Sequence, residues 1–408
     1  MKLKMQGYKF RIYPNEEQQE MFEKHFGCTR FVYNFGLALK QEYYEKEGKS
    51  LSKRQVQDAL VALKKDPEHL WLNEVNSQSL LASLGNLDVA YNNFFKGLAK
   101  FPKFKSKYKS KKRFQCPQHV TVDFAASVIN LPKIKNVKIK MHRAFEGKIK
   151  TCTVEKCPNG HYYVSILVDN QRQEVKKALV EEEFTLGLDF GVTDLIITSD
   201  GKKYSNPKFI YEHESKIKKL SRRLAKKEKK SKNRNKARNL LAKEHAKLKR
   251  KRLDLLHKIT SDIVYKSQET SIAIEDLNVK GMMKNHCLAK AIGNCGFGIM
   301  ERLLAYKCDW AGKNLLKIDR FAPSSKTCSH CGHKKEKLEL STRTYVCENC
   351  DTSIDRDINA AINIKNFALA KEIGGGTSEV KLVDHALPGH GLSVLGNHGL
   401  KQEALPRT

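Results

Sequence analysis

The sequence predicts an α+β multidomain fold, with an N-terminal helical block, a small β-barrel, and an α/β domain that carries a four-cysteine metal ribbon. Three observations predict it. Helical periodicity gives way to strand alternation along the chain; an apolar strand ending on an acid opens a new region near residue 184; and four cysteines stand in two close pairs near the C-terminal end. At 408 residues the chain is long enough for two or three cores, and its 40% hydrophobic content is ordinary for a folded protein.

Tyr8, Phe10 and Ile12 alternate with polar residues and stop at Pro14, so residues 1–14 read as the first strand of the barrel. From 16 to about 48 apolar residues recur at helical spacing (Phe22, Phe26, Phe31, Phe35, Leu39). Helical stretches follow over 52–64 and 77–98, which makes 15–112 a helical block. Residues 101–114 then interleave aromatics with cations. Lys103, Lys105 and Lys107 among Phe101, Phe104 and Tyr108 suit phosphate neutralisation with base stacking, against the alternative of a solvated basic linker. Short alternating stretches between 120 and 169, clearest over 137–141 and 162–168, read as a small β-barrel over 113–180, completed by the strand before Pro14.

The next apolar strand ends on Asp189. Residues 216–252 are the most basic stretch, with only Glu228 and Glu244 opposing the cations. A broken stripe of Leu220, Leu224, Leu240, Leu241 and Leu248 predicts antiparallel helices over 214–256 with a turn near 231–235. Lys226, Lys227, Lys229 and Lys230 are candidate nucleic-acid backbone contacts there. A second apolar strand ends on Glu275, and a short helix over 357–367 opens on Asp357. The Gly-rich remainder, 368–408, reads as a flexible tail.

Seventy-six Lys and Arg against 45 Asp and Glu leave a formal charge of +31, which calls for a polyanionic partner. An anionic membrane surface fits poorly because no strongly apolar stripe adjoins the cations. No apolar run of about 18 residues is present to span a bilayer, and the N-terminus lacks a signal-peptide core. Eleven cysteines, seven of them scattered, read as reduced thiols in a cytoplasmic compartment.

Cys328, Cys331, Cys347 and Cys350 form C-x2-C, fifteen residues, then C-x2-C. Two residues between thiols let one tight turn offer both sulfurs to one cation, and two such knuckles complete a tetrahedron. Four thiolates leave no open position for water, so the predicted zinc is structural. Gly332 and Asn349 suit the knuckle turns. Asp189, Glu275 and Asp357 are of the type a two-metal nuclease needs, since carboxylates on rigid elements can hold divalent ions beside a scissile phosphate. Each acid alone is more often a turn former or helix cap, and spacing alone does not join three so far apart.

Gly187-Leu-Asp-Phe-Gly191, Ile274-Glu-Asp-Leu-Asn-Val-Lys-Gly-Met282, Pro323-Ser-Ser-Lys-Thr-Cys-Ser-His-Cys-Gly332 and Ser353-Ile-Asp-Arg-Asp-Ile-Asn-Ala-Ala-Ile-Asn363 resemble blocks of the TnpB family, the insertion-sequence nucleases of OrfB type that are similar to ancestors of type V CRISPR effectors. Tyr8-Lys-Phe-Arg-Ile-Tyr-Pro14 with Gln18, and Arg30-Phe-Val-Tyr-Asn34, resemble its opening. The resemblance implies a wedge-like barrel and a RuvC/RNase H-like nuclease domain over 181–320 and 353–367, interrupted by the ribbon at 321–352. It implies a triad of Asp189, Glu275 and Asp357 holding catalytic magnesium, as two ions. Asp357 fits better than Asp355 because it stands two residues before Asn359; Asp355 and Asp276 are bystanders, and Arg343 is a candidate phosphate contact. The implied function is that of a transposon's RNA-guided DNA endonuclease, cutting double-stranded DNA next to a short flanking motif. Its partners would be a guide noncoding RNA and target double-stranded DNA, with the protein monomeric in a ribonucleoprotein of the prokaryotic cytosol. The alternatives are a nuclease-silent RNA-guided repressor and a DNA transposase or recombination accessory protein.

Overall fold

A computed structural model describes residues 4–172, 175–207, 209–339 and 341–374. Two compact units divide the chain: residues 1–173 with 227–243, and residues 174–226 with 244–380. The expected tail lies outside the described residues from 375 onward, and residues 368–374 belong to a helix instead.

In the first unit, the period-two pattern of Tyr8, Phe10 and Ile12 builds β1 (Lys4–Tyr13). Pro14 ends it, and Asn15 caps α1 (Glu16–Glu47) in a reciprocal box with Gln18, which explains why Gln18 follows that proline so closely. Gly48 closes α1 in the left-handed conformation. A second capping box, Ser52 with Gln55, starts α2 (Lys53–Leu63), and Asn76 starts α3 (Ser77–Phe95). Six strands follow: β2 (Lys112–Cys116), β3 (Thr121–Asp123), β4 (Val128–Leu131), β5 (Ile134–Lys140), β6 (Lys148–Lys156) and β7 (Tyr162–Arg172).

These strands correct the barrel expectation. The antiparallel sheet runs β2-β6-β7-β1-β5-β4-β3 and does not close, since β2 and β3 stand at opposite edges. β1 lies at its centre, paired with β7 and β5, rather than completing a ring. The physical reason lies in α1. Phe22 and Phe26 insert into the sheet's core beside Phe114 and Tyr162, so a helix covers the surface that closure would otherwise have to bury. A second core, including Val32, Val56, Leu60, Leu80 and Leu84, joins α1, α2 and α3.

The second unit opens with β8 (Thr185–Asp189), β9 (Asp194–Thr198) and β10 (Lys203–Ser205). A helical hairpin follows, α4 (Phe209–Ala225) and α5 (Lys232–Ser261), of which residues 227–243 group with the first unit. Its turn spans 226–231, a few residues earlier than expected, because the Ser231 hydroxyl accepts from the Arg234 amide and starts α5 at once. The buried His213–Glu244 contact and the Lys251–Glu212 ion pair join the two helices. Next come β11 (Ser271–Glu275), α6 (Val279–Met282), α7 (His286–Cys295), α8 (Phe297–Ala311) and β12 (Asn314–Ile318). The hairpin β13 (Thr344–Val346) and β14 (Ser353–Asp355) and the final helix α9 (Arg356–Gly374) complete the unit. Its sheet runs β10-β9-β8-β11-β12, with β8, β11 and β12 parallel and β9 and β10 antiparallel. β8 and β11 are buried except at their terminal acids, as parallel strands covered on both faces must be. No helix of the described residues is long and apolar enough to cross a membrane.

Candidate active site and metal centre

Parallel register brings the first two acids together. Leu188 of β8 pairs with Ile274 of β11, so Asp189 and Glu275 leave the carboxyl ends of adjacent strands at the same level, where neighbouring strands lie about 5 Å apart. The third acid comes from α9, which packs on β8, and Gly187 decides how closely. A Cβ at Gly187 would stand 2.0 Å from the Ala361 carbonyl oxygen, so only glycine lets the helix backbone approach the strand. That contact lies one turn along α9 from Asp357, in the helix's first turn, where the dipole favours an anion.

Both other acids act on Asp189 electrostatically. Burial pushes the Asp189 carboxyl up to about 7, and the negative charges of Glu275 and Asp357 push in the same direction. The Phe190 amide and the Arg356 charge oppose them only in part. The other two acids considered are engaged elsewhere. Asp355 accepts from the Asp357 and Ile358 amides as the cap of α9 and pairs with Lys203 at 2.6 Å, while Asp276 is held by Arg320 and Lys317.

A layer of buried hydroxyl and amide groups supports the cluster, and sequence reasoning missed it. Ser324 donates its hydroxyl to Glu275. The buried Asn363 donates to the carbonyls of Ser324 and Thr327, and the buried Asn359 donates to Thr327 while accepting from the Ser329 amide. Two asparagines of α9 therefore clamp the segment that both touches Glu275 and leads into the first knuckle. Their i, i+4 spacing is visible in the sequence, but their acceptors are backbone atoms, which no spacing announces.

The four cysteine sulfurs lie within 4.8 Å of one another, with Cys328–Cys350 at 3.7 Å and Cys331–Cys347 at 3.6 Å. These separations exceed an S–S bond of about 2.05 Å and match the roughly 3.8 Å edge of a tetrahedron with about 2.3 Å zinc–sulfur bonds. The donor set fits zinc. Gly332 takes a φ of 77° as expected, whereas in the second knuckle the left-handed residue is Asp351, at 54°. Asn349 serves differently: its backbone amide donates to Cys347 and its side chain to Cys331. The fully buried Tyr345 packs beneath, donating to the Lys326 carbonyl.

The candidate nucleic-acid contacts divide. Lys226, Lys229 and Lys230 are exposed in the interhelix turn rather than on a helix, and Lys227 is half-buried. Arg343 is exposed on the ribbon, as are Lys103 and Lys107 on their segment. Lys105 turns inward instead. Its ammonium sits 3.4 Å from the Tyr33 ring centroid, and burial, with Arg113 nearby, lowers its pKa to about 7.

A family model described as "Probable transposase" matches residues 165–286, and one described as "Cas12f1-like, TNB domain" matches residues 297–364. A helix-turn-helix model matches residues 1–49, although the described residues of that segment hold one strand and one helix. A Streptomyces pristinaespiralis protein whose name describes an RNA-guided DNA endonuclease is 33% identical over 97% of this chain and 96% of its own length. An Escherichia coli K12 protein of similar name, InsQ, is 32% identical over 88% of this chain and 92% of its own. The chain in a solved Cas12f1-sgRNA-target DNA complex is 14% identical, with a TM-score of 0.47, over 89% of this chain and 99% of that one.

Proposed function

This chain belongs to the TnpB family, and from that premise we propose that it is a transposon's RNA-guided DNA endonuclease that cuts double-stranded DNA next to a short flanking motif. The observation that carries the nuclease reading is the acid cluster, where a partly buried Asp189 meets Glu275 and Asp357 with its carboxyl pushed up to about 7. Such repulsion is relieved by a divalent cation, and an all-carboxylate donor set is the kind that suits magnesium. Held by Asp189, Glu275 and Asp357, two magnesium ions would supply charge stabilisation at the scissile phosphate and an activated water.

The protein's own groups do the rest. Parallel strands aim Asp189 and Glu275, and Gly187 brings α9 close enough for Asp357 to join them. The Ser324 hydroxyl fixes the Glu275 carboxylate, and Asp355 caps α9 so that its first turn stays ordered. The zinc-binding thiols brace the segment that the asparagine clamp ties to Glu275. A guide RNA and its heteroduplex would supply the polyanion that a charge of +31 demands, and base pairing would supply the specificity.

The test is plasmid cleavage by the purified protein with its copurifying RNA and Mg²⁺, after that RNA is sequenced to choose the target. Guide-directed cutting that disappears on RNase treatment is expected. RNA-independent joining of DNA ends would replace this reading with a transposase, and guided binding without cutting would replace it with a repressor.

A further inference from the structure

Asp357 stands in the first turn of α9, the part of a helix least held by its own hydrogen bonds. The close approach at Gly187 fixes Ala361, one turn further on, so it does not by itself aim Asp357. Two tethers hold that first turn. Arg356 ties it to the ribbon through the carbonyls of Glu339 and Thr342. Asp355 ties it to the sheet: one carboxylate oxygen accepts from the Asp357 and Ile358 amides, and the other accepts from the Lys203 ammonium at 2.6 Å.

Register places Lys203 for this contact. Asp189 of β8 and Lys203 of β10 both pair with Ile197 of β9, so the three side chains share one rung and leave the same face. Two strand spacings, roughly 10 Å, separate Lys203 from Asp189 along that rung. Gly187, two residues before Asp189, shares the face, and a Cβ there would point at α9, so this is the face that α9 covers. β10 is an edge strand, yet its start is anchored. The Lys202 ammonium and the Tyr204 hydroxyl both donate to Asp262, just past α5, at 2.6 Å. Strand alternation then turns Lys203 the other way, toward α9.

We propose that Lys203 is a positioning residue for the divalent-metal site: through Asp355 it fixes the start of α9 and so aims the Asp357 carboxylate at Asp189 and Glu275. The inference rests on reading those three acids as the metal site. Its sign separates geometry from charge. Taking a cation away from an acid cluster tightens metal binding if charge alone counts, whereas losing the aim of a ligand weakens it. A half-exposed ion pair adds little to global stability, so the effect belongs to the site and not to melting.

The test titrates Mn²⁺ into the zinc-loaded full chain stripped of copurifying nucleic acid, with free Mn²⁺ read by electron paramagnetic resonance. The native chain is compared with Lys203→Met, Lys203→Arg, Asp355→Asn and the Lys203→Met/Asp355→Asn double variant, and Asp189→Ala marks the binding that belongs to the acid cluster. Lys203→Met is expected to weaken that binding about tenfold, the usual worth of a group that orients a ligand, with a melting temperature near native. Lys203→Arg should recover most of the affinity. The double variant should bind no worse than the weaker single, because both changes cut one link. Unchanged or tighter Mn²⁺ binding in Lys203→Met overturns the positioning role. An additive loss in the double variant overturns it too, as does a melting temperature that falls in step with affinity. Mn²⁺ binding that Asp189→Ala leaves intact overturns the acid-cluster reading itself. Cluster binding without guided cleavage overturns the nuclease reading and not this one.

Discussion

Both the thiol cluster and the carboxylate cluster gather anionic ligands, but they are built in opposite ways. The thiols come from two short turns within 23 residues of chain and receive N–H groups from Asn349, so their negative charge is already partly met. The acids come from two strands and a helix far apart in sequence, and among them the charge of Asp189 is opposed first by burial and then by the charges of Glu275 and Asp357. Local geometry alone sets the thiol site for one zinc ion. The acid site keeps its electrostatic tension, which on the proposed function exchangeable cations and substrate phosphate would use. A cluster braced for stability and a cluster poised for chemistry should therefore fail differently when broken.

The sharpest separation comes from the acids. Asp189→Ala or Glu275→Ala should remove guided cleavage by about 10³-fold or more, since metal-held charge stabilisation is worth several kcal/mol, with the melting temperature unchanged or raised. Cutting that survives either change would detach the chemistry from this cluster. Cys347→Ser, or chelation with metal loss confirmed, should do the reverse first: a drop of several degrees in melting temperature and protease sensitivity within 326–352, because thiolate–zinc binding is folding energy for so small a unit. An unchanged melting curve would remove zinc from the ribbon's stability.

Ser324 stands between the two clusters and tests their linkage. Ser324→Ala should lower the cleavage rate by about 10- to 100-fold, as loss of a ligand-orienting hydrogen bond does, while Ser324→Thr restores part of it; equal activity for both variants and the native chain would make the Ser324–Glu275 contact incidental. The smallest effect concerns pH. Asp189 titrates near 7 when folded, well above its ordinary value of 3.8. Its contribution to stability is therefore present in acid and is lost as pH rises through about 7. The metal-free protein should melt lower at pH 8 than at pH 5, with a flatter dependence in Asp189→Asn and on adding Mg²⁺. A slope identical in native and variant chains would mean that Asp189 does not titrate above its ordinary range.

Helix starts near 16, 52 and 77 were legible from apolar spacing, and the capping boxes of Asn15 with Gln18 and Ser52 with Gln55 fix the first two. Strand alternation likewise located β1 and β7. The barrel was misread because alternation reports which face of a strand is buried and not what buries it; here Phe22 and Phe26 of α1 do so. Lys105, expected among the phosphate contacts, lies inward for a related reason: alternation along a basic segment does not show that one lysine finds an aromatic face and an asparagine anchor, Tyr33 and Asn34, about 70 residues upstream.

By itself, then, the sequence determined what depends on neighbours along the chain: the paired knuckles of Cys328, Cys331, Cys347 and Cys350, the charge of +31, and the acids placed at element ends. The tertiary structure decided what depends on register and approach. It set Asp189 level with Glu275 through β8–β11 pairing, it brought α9 against Gly187, and it assigned Asp355 to capping while leaving Asp357 with the cluster. Residue spacing constrains geometry only over a turn or two; beyond that, hydrogen-bonded register and backbone contact determine which charges meet.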